Sequence, residues 1–271
     1  MIWKSTVIPW EECDEERKEA LDDHWRRGNL RYKLDPVQRR EYDRIKEFFG
    51  RCESSADRWW LLDWGRRMGK DTVMAVFALE ALMTTKVPNA RLPYGAPTAN
   101  DCQEILEPIV KKLLIDCPPE LRPEHIQTRH RFEWEDSRRL VLVGCELHPH
   151  RLRGVGNIAV CLTETAFMAN LDAPTRGVVA AVEPTLIDYP DAWSLWGSTP
   201  PETPAHPHST KYLPVAKQKG CYSHYTTHDS PRYTKKQIDG FIAKAGGPKS
   251  TRARREYGAE HVVEETLMVV P

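Results

Sequence analysis

The chain has no excess of charge of either sign. Lys+Arg and Asp+Glu stand at 39 each, so it lacks the bulk positive field of a protein that coats nucleic acid, although a local basic patch stays open. Its seven cysteines, Cys13, Cys52, Cys102, Cys117, Cys145, Cys161 and Cys221, include no C-x-x-C. Scattered thiols of this kind read as reduced and mostly buried in a cytosolic setting, not as a disulfide framework. There is no apolar run of signal-peptide or membrane-span length, because charges interrupt the N-terminal MIWKSTVIPWEECDEE. Internal repeats and low-complexity tracts are missing too. Two His-Pro-His triplets, His148-Pro149-His150 and His206-Pro207-His208, have no Cys or carboxylate at ligand spacing, which sets them aside as metal sites. What remains, 271 residues at 40% hydrophobic and 29% charged, is a globular composition with length for a substantial core in one large domain or two small ones.

The rest of the chain is organised around WWLLDWGRRMGKDT, residues 59–72. The apolar run 59–62 reads as a buried strand. It breaks into Gly65-Arg66-Arg67-Met68-Gly69-Lys70, and an apolar helix pattern follows from Asp71 to about Met83. Strand, glycine-containing loop, lysine and helix is the layout of a phosphate-binding loop. Backbone N–H groups and the helix N-terminus face the anion, and Lys70 adds a point charge. The match to G-x-x-x-x-G-K-[ST] departs at Trp64, where a Gly is wanted, and at Asp71, where a hydroxyl is wanted.

Ahead of the loop, residues 10–33 are charged with sparse apolar positions and read as a surface helix ending near Gly28, with a solvated face. Leu34-Asp35-Pro36-Val37-Gln38 opens a second helix running to about Phe49. Gln38 donates and accepts, which suits reading an adenine edge; it is equally one more exposed amide. Behind the loop, the segment 89–96 ends in Ala96-Pro97-Thr98, Thr98 starts an N-cap cluster, and helix spacing covers 101–115. Pro118-Pro119 stop that helix near Cys117. Residues 132–134 and 140–144 read as two strands around an Asp136-Ser137 turn. Residues 158–162 form a buried run ending in Thr163-Glu164-Thr165-Ala166-Phe167, and 192–196 another ending in Gly197-Ser198-Thr199-Pro200. Residues 201–212 read as a linker rich in Pro and His; a strand at 221–227 and helices at 234–244 and 250–260 then make a small subdomain. Helical segments between strands favour a parallel sheet, and ligands of such sheets bind beyond the carboxyl ends of the strands. Three polar strand ends in this order point to a nucleotide site.

In this order the motifs resemble one family, the ATPase domain of the large terminase subunit of tailed bacteriophages, the motors that package DNA into proheads. The resemblance spans residues 34–263. It rests on the adenine motif at 34–38, a variant phosphate loop with basic residues after its first Gly at 65–70, and Ala96-Pro97-Thr98 at a strand end. It rests further on Leu152-Arg153-Gly154, on the apolar run with Glu164 and Ala166-Phe167, and on Ser198-Thr199-Pro200; region 252–263 looks like the end of the lid.

The resemblance implies an α/β fold: a P-loop NTPase of the additional-strand catalytic-Glu type, with a central, mostly parallel sheet flanked by helices and a small C-terminal lid subdomain. It divides the chain into an N-terminal helical extension at 1–33, an ATPase core at 34–204, and linker plus lid at 205–271. ATP and Mg²⁺ are the implied cofactors. Gln38, Gly65, Arg66, Arg67, Met68, Gly69, Lys70, Asp71 and Thr72 are the implied nucleotide-binding residues, Lys70 holding the β- and γ-phosphates. Glu164 is the implied general base, and Ser198 with Thr199 the coupling motif. Arg153 is a candidate arginine finger toward a neighbouring subunit's ATP, with Arg66 the alternative within the chain; such fingers are worth ~10³–10⁵ in rate. The implied function is ATP hydrolysis powering translocation of double-stranded viral DNA. The implied partners are that DNA, the portal protein and the small terminase subunit, in a homo-oligomeric ring (a pentamer) on the prohead, in the host-cell cytoplasm and with no membrane. The family's nuclease domain has no counterpart, since residues 201–271 hold no second acidic constellation, and no nuclease activity is expected.

Two positions break the family pattern in opposite senses. Asp71 stands where a hydroxyl should coordinate Mg²⁺, and Thr163 stands where an acid should precede Glu164. We expect the two to have exchanged chemistry around one metal, because Mg²⁺ takes hard oxygens from a carboxylate or a hydroxyl on either side. Thr72 takes the hydroxyl role if the loop shifts by one. Two other functions stay open: a nucleotide-binding or assembly module in which Asp71 and Thr163 mark lost catalysis, and a helicase-like DNA-dependent ATPase. The basic runs 129–131, 138–139, 217–219 and 252–255 are candidate DNA contacts or solvated surface.

Overall fold

A computed structural model describes residues 7–153 and 156–262; Gly154 and Val263, which the family resemblance includes, lie outside them. In chain order the elements are α1 (Glu15–Arg26), α2 (Pro36–Arg51), β1 (Trp59–Trp64), α3 (Lys70–Thr84), β2 (Arg91–Ala96) and α4 (Ala99–Asp101). Then come α5 (Glu107–Leu113), β3 (Glu124–Ile126), β4 (Arg131–Glu133), β5 (Arg139–Gly144), β6 (Ala159–Thr163) and α6 (Val178–Val182). The chain continues through β7 (Trp193–Ser198), α7 (Leu213–Lys219), β8 (Tyr222–Tyr225), α8 (Lys235–Lys244) and α9 (Thr251–Glu256).

The eight strands among the described residues join one sheet in the order β3-β4-β5-β2-β6-β7-β1-β8. From β5 to β8 every neighbouring pair is parallel, and β4 and β3 add an antiparallel edge. Strands covered on both faces need apolar side chains on both, and Trp60, Leu61 and Leu62 of β1 are buried without alternation. The helix leaving β1 is apolar all round: Val73, Met74, Ala75, Val76, Ala78 and Leu79 of α3 have no exposed surface. A helix of this composition belongs in a core, not on a surface. Among the described residues no helix is long and apolar enough to cross a membrane. All seven cysteines are free, and all but Cys52 are buried.

The segment 10–33 carries the expected surface helix, α1, which ends just before Gly28 with only Leu21 and Trp25 of the helix buried. The segment is also anchored: Trp25 and Leu30 are fully buried, and Asp116 accepts from the Trp25 indole (3.2 Å) and the Tyr32 hydroxyl (3.2 Å) and pairs with Lys33. A few apolar anchors and one buried ion pair dock the extension, which a count of charges does not register. The segment 201–212 is not a bare linker, because it winds into a π-helical turn at His208–Tyr212 that runs straight into α7. The strand expected in a separate C-terminal subdomain is β8, paired in parallel with β1, so the 204/205 boundary cuts through the main sheet's own covering. The helix at 101–115 starts instead at Ala99, and carries a π-helical turn at Cys102–Leu106 ahead of Pro108. Proline has no N–H for the regular ladder, and the wider turn absorbs the interruption.

Burial of the Lys33 ammonium lowers its pKa against the pull of Asp116, so the pair holds only while both partners stay. Asp116→Ala leaves an uncompensated buried cation and is expected to lower unfolding free energy by about 3–5 kcal/mol. Denaturant titration reads this directly; a loss below about 1 kcal/mol would show that the extension docks by apolar contact alone.

Candidate active site

The loop after β1 and the turn after β6 leave the same edge of the sheet because β6, β7 and β1 are parallel neighbours. That edge brings together residues 94 apart in sequence: Lys70 Nζ lies 2.6 Å from Glu164 Oε1. Lys70 is buried at 6% exposure, and the Glu164 side chain keeps 27%. Glu164 takes a left-handed backbone conformation (φ 51°), which is strained for a residue with a β-carbon. Ser198 Oγ (3.5 Å), Thr199 N (3.4 Å) and Thr199 Oγ1 (3.4 Å) all donate to its other oxygen. The Ser-Thr-Pro strand end therefore orients the Glu164 carboxylate.

Asp71 and Thr163, the two positions that break the family pattern, touch each other. Thr163 Oγ1 donates to Asp71 Oδ1, and Tyr94 Oη donates to the same carboxylate oxygen (3.4 Å) and to the Asp71 carbonyl (3.3 Å). Thr72, at the next position of α3, is half-buried. Burial and the charge of Glu164 push the Asp71 carboxyl above its usual range, against Lys70 and Thr163. Burial alone would disfavour the Lys70 ammonium and the Glu164 carboxylate, but each outweighs that in the other. Lys70 is raised and Glu164 lowered.

The loop itself is clamped from two sides. Gly65 N donates to Tyr225 O (2.8 Å), Arg66 N to Glu256 O (2.6 Å), and Thr227 Oγ1 to Arg66 O (2.8 Å). The Arg66 guanidinium pairs with Glu256 (3.4 Å), and that of Arg67 lies over the Phe241 ring at 4.9 Å. On the other side, Gln38 Nε2 donates to the carbonyls of Met68 (3.2 Å) and Gly69 (3.0 Å), while its Oε1 caps α2 by accepting from Asp35 N (3.0 Å). The Gln38 amide is thus engaged by the loop and by its own helix. Gly69 is left-handed (φ 74°), and a β-carbon there would meet Gln38 Nε2 at 2.4 Å and Arg232 Nη2 at 2.9 Å. Gly69 also precedes α3, whose first-turn N–H groups point along the helix axis toward the loop.

Arg153 is exposed and lines a separate 380 Å³ cavity with His148, His150 and Arg176. Three side chains at the site escaped the sequence argument. Arg232 donates to the Arg67 carbonyl and pairs with Asp35 at 3.4 Å. Tyr94 touches Asp71. Asp63 is fully buried at the end of β1; a carboxylate inside an apolar strand was the available signal, and the expected strand stopped one residue short of it. The basic runs are mostly paired: Arg131 with Glu133 (2.5 Å), Arg138 with Asp136 (2.6 Å), Lys219 with Asp57 (3.3 Å), Arg252 with Glu256 (3.3 Å) and Arg254 with Glu260 (2.7 Å). No set of His, Cys, Asp or Glu among the described residues is gathered to hold a metal by itself.

The raised pKa of Asp71 fixes the sign of a stability effect. Folding favours its neutral form, so the penalty is absent well below the unfolded carboxyl value and sets in as pH rises through it. Asp71→Asn removes the penalty, and we expect its nucleotide-free melting temperature to exceed wild type at pH 7 by about 2–4 °C, a gap that closes near pH 4. A variant that melts below wild type at pH 7 would mean that attraction to Lys70 outweighs burial.

No family model matches the chain, and no curated protein matches it significantly. Solved structures do match. The large terminase of a thermophilic bacteriophage, in complex with ADP, has a TM-score of 0.65 at 15% identity, covering 82% of this chain and 53% of that one. The HK97 bacteriophage large terminase gives 0.64 at 15% identity, covering 83% and 50%. The chain spans about half the length of both. The large terminase ATPase domain of Thermus phage P74-26 gives 0.57 at 19% identity, covering 80% of this chain and 93% of that domain. This chain thus has the fold of the phage large-terminase ATPase domains, an α/β fold with a mostly parallel sheet flanked by helices.

Proposed function

We propose that the chain hydrolyses ATP and that the hydrolysis drives translocation of double-stranded viral DNA into a prohead. The observation that carries this reading is the 2.6 Å approach of Lys70 and Glu164 across the carboxyl edge of the sheet. The solved neighbours that bind ADP or ATP-γ-S support a nucleotide there. In this reading the loop N–H groups and Lys70 hold the β- and γ-phosphates. A γ-phosphate would draw the ammonium away from Glu164 and leave that carboxylate free to orient a water and accept its proton. Ser198 and Thr199 hold the carboxylate in line. Phosphoryl transfer passes through a loose transition state, so positioning and charge carry most of the catalysis.

The donor set at Asp71 and Thr163 suits Mg²⁺: two hard oxygens in contact, one of them a carboxylate whose ionised form burial disfavours and a cation would favour. Asp71 and Thr163 would hold the ion, with Thr72 as the alternative hydroxyl, and it would neutralise charge on the phosphates. Arg153 is proposed as a finger toward a neighbouring subunit in a ring, with Arg66 its alternative within the chain. The proposed partners are double-stranded DNA, portal protein and small terminase subunit, in the host-cell cytoplasm, and no nuclease activity is proposed.

Phosphate release with Mg²⁺ and DNA tests the reading. Lys70→Ala is expected to abolish turnover, and Glu164→Gln to lower it by ~10²–10⁴ with ADP affinity kept. Asp71→Ala should abolish Mg²⁺-dependent turnover, and the exchange Asp71→Thr with Thr163→Asp should recover part of it. Full activity in Asp71→Ala would end the metal assignment; a wild-type chain that binds ADP without turnover would mark an assembly module.

A further inference from the structure

A second polar cluster lies directly behind the active site, and nothing in the proposed chemistry uses it. Its centre is Asp63. Four groups from three elements face this carboxylate: His208 from the π-helical turn, His224 and Tyr222 from β8, and His261 from the segment after α9. Burial alone would raise the Asp63 pKa, but the imidazoles hold it well below the usual carboxylate range. It remains an anion inside the protein.

Two hydroxyl–imidazole chains converge on it. His261 Nε2 lies 2.8 Å from Asp63 Oδ2, and Ser209 Oγ lies 2.8 Å from His261 Nδ1. A carboxylate only accepts, so Nε2 carries the proton, and in the neutral ring Nδ1 accepts from the Ser209 hydroxyl. The second chain is incomplete. His208 is fully buried, and its Nδ1 lies 2.9 Å from Thr165 Oγ1. Its Nε2 stands 3.9 Å from Asp63 Oδ1, and both of those buried atoms lack a hydrogen-bond partner. That gap is too long for a hydrogen bond, and a buried unmade bond is costly. The His208 ring therefore holds Thr165 at one end while the unpartnered Oδ1 of Asp63 faces the other. The rings of His208 and His261 stack at 6.2 Å and 7°, so displacement of one is felt by the other.

Thr165 follows Glu164, whose left-handed backbone persists only if its surroundings over-determine it. Lys70, Ser198 and Thr199 hold the Glu164 carboxylate, and the residues that follow it are held by the Thr165–His208 contact and the 3.0 Å bond from Ala166 N to Ser198 Oγ. We propose that Asp63 is a positioning residue that couples the segment after α9 to the Glu164 turn. While His261 satisfies Asp63, His208 is free to hold Thr165. When His261 leaves, Asp63 loses its shortest partner and keeps only the longer approach of His224 (3.7 Å) and the neighbouring Tyr222. His208 Nε2 is then drawn across the gap, Thr165 is released, and Glu164 loses one of the supports of its strained conformation. Movement of residues 259–262 thereby switches the water-orienting carboxylate. The kinetic side of this proposal rests on the ATPase reading above; the structural side does not.

The test uses His261→Ala, Thr165→Val and their double variant in the full chain, with Thr165→Ser as the conservative control. Hydrogen exchange of residues 164–168 is expected to accelerate at least about fivefold in His261→Ala. Thr165→Val should reciprocally accelerate residues 259–262, as linkage requires, with residues 91–96 unchanged. Acceleration confined to each variant's own segment overturns the coupling, whether or not the chain hydrolyses anything. In the kinetic arm each single variant lowers kcat about tenfold with KM and ADP affinity unchanged, and Thr165→Ser restores it. The double variant should be no slower than either single; effects that multiply also overturn the coupling. A wild-type chain that neither binds ADP nor turns over ATP would overturn the nucleotide reading alone.

Discussion

The whole site depends on one constraint: parallel strands end on the same edge. β6, β7 and β1 lie side by side with Thr163 opposite Gly197 and Asp63 opposite Ser198. That register delivers Lys70, Glu164 and Ser198 to one place from three distant stretches of chain. It also sets a demand on Gly197. A β-carbon there would meet Met74 Sδ at 2.8 Å and Lys70 Cδ at 3.3 Å, so the absence of a side chain in β7 lets α3 and its first lysine lie against the sheet. Antiparallel pairing of the same runs would send the loop after β1 and the turn after β6 to opposite edges, and no change of side chains would restore the contact.

The departure from the phosphate-loop pattern at Trp64 has a structural cause. Trp64 is fully buried and its indole donates to Ser223 Oγ (2.9 Å), because β1 continues through this residue. The turn begins one residue later, at Gly65, where a β-carbon would meet the Tyr257 carbonyl at 2.9 Å. A loop with glycines at both ends of the usual span carries its shape in local torsions. Here the shape is carried by tertiary contacts, with β8, α9 and the Thr227 turn gripping residues 65 and 66 while α2 grips residues 68 and 69. The loop is therefore coupled to the C-terminal third of the chain by geometry.

The sheet and the loop were legible because they are written in continuous runs. Apolar stretches bounded by Gly, Pro and hydroxyl residues gave strands within a residue or two of their ends, and the G-K step followed by an apolar helix gave Lys70 its place. The pairing of Asp71 with Thr163 was also legible, from an exchange of residue types at two familiar positions. What stayed hidden depends on side chains meeting across the fold. Gln38 has the composition of an exposed amide, yet the chain folds it under the loop. His208 sits in a Pro-rich stretch that reads as a linker, and only the π-helical turn carries it to zero exposure. Arg232 has no local pattern, because its partners Asp35 and Arg67 lie far away in sequence. The Trp25 and Lys33 anchors were masked by surrounding charge, which dominates any average over the segment.

On the proposed metal reading, the charge balance around Lys70 fits an Asp71–Thr163 exchange that keeps the site's chemistry. Two carboxylates, Asp71 and Glu164, share the field of one buried ammonium, and the charge of Glu164 raises the proton affinity of Asp71. A site that had merely decayed would be free to shed the more costly of the two, since an uncharged residue at position 71 relieves the burial penalty without disturbing the Lys70–Glu164 contact. Asp71 instead sits against a hydroxyl and under the Tyr94 phenol, both of which favour its ionised form. Two donors arranged around a buried carboxylate stabilise charge where the fold alone would discourage it. On the proposed reading, positive charge arriving with a triphosphate would give that arrangement a use, because a cation between phosphate and carboxylate would turn the penalty into an attraction. The strained backbone of Glu164 belongs to the same logic. Lys70, Ser198 and Thr199 all hold its carboxylate, so the conformational cost of the left-handed turn is offset by contacts that only this placement allows.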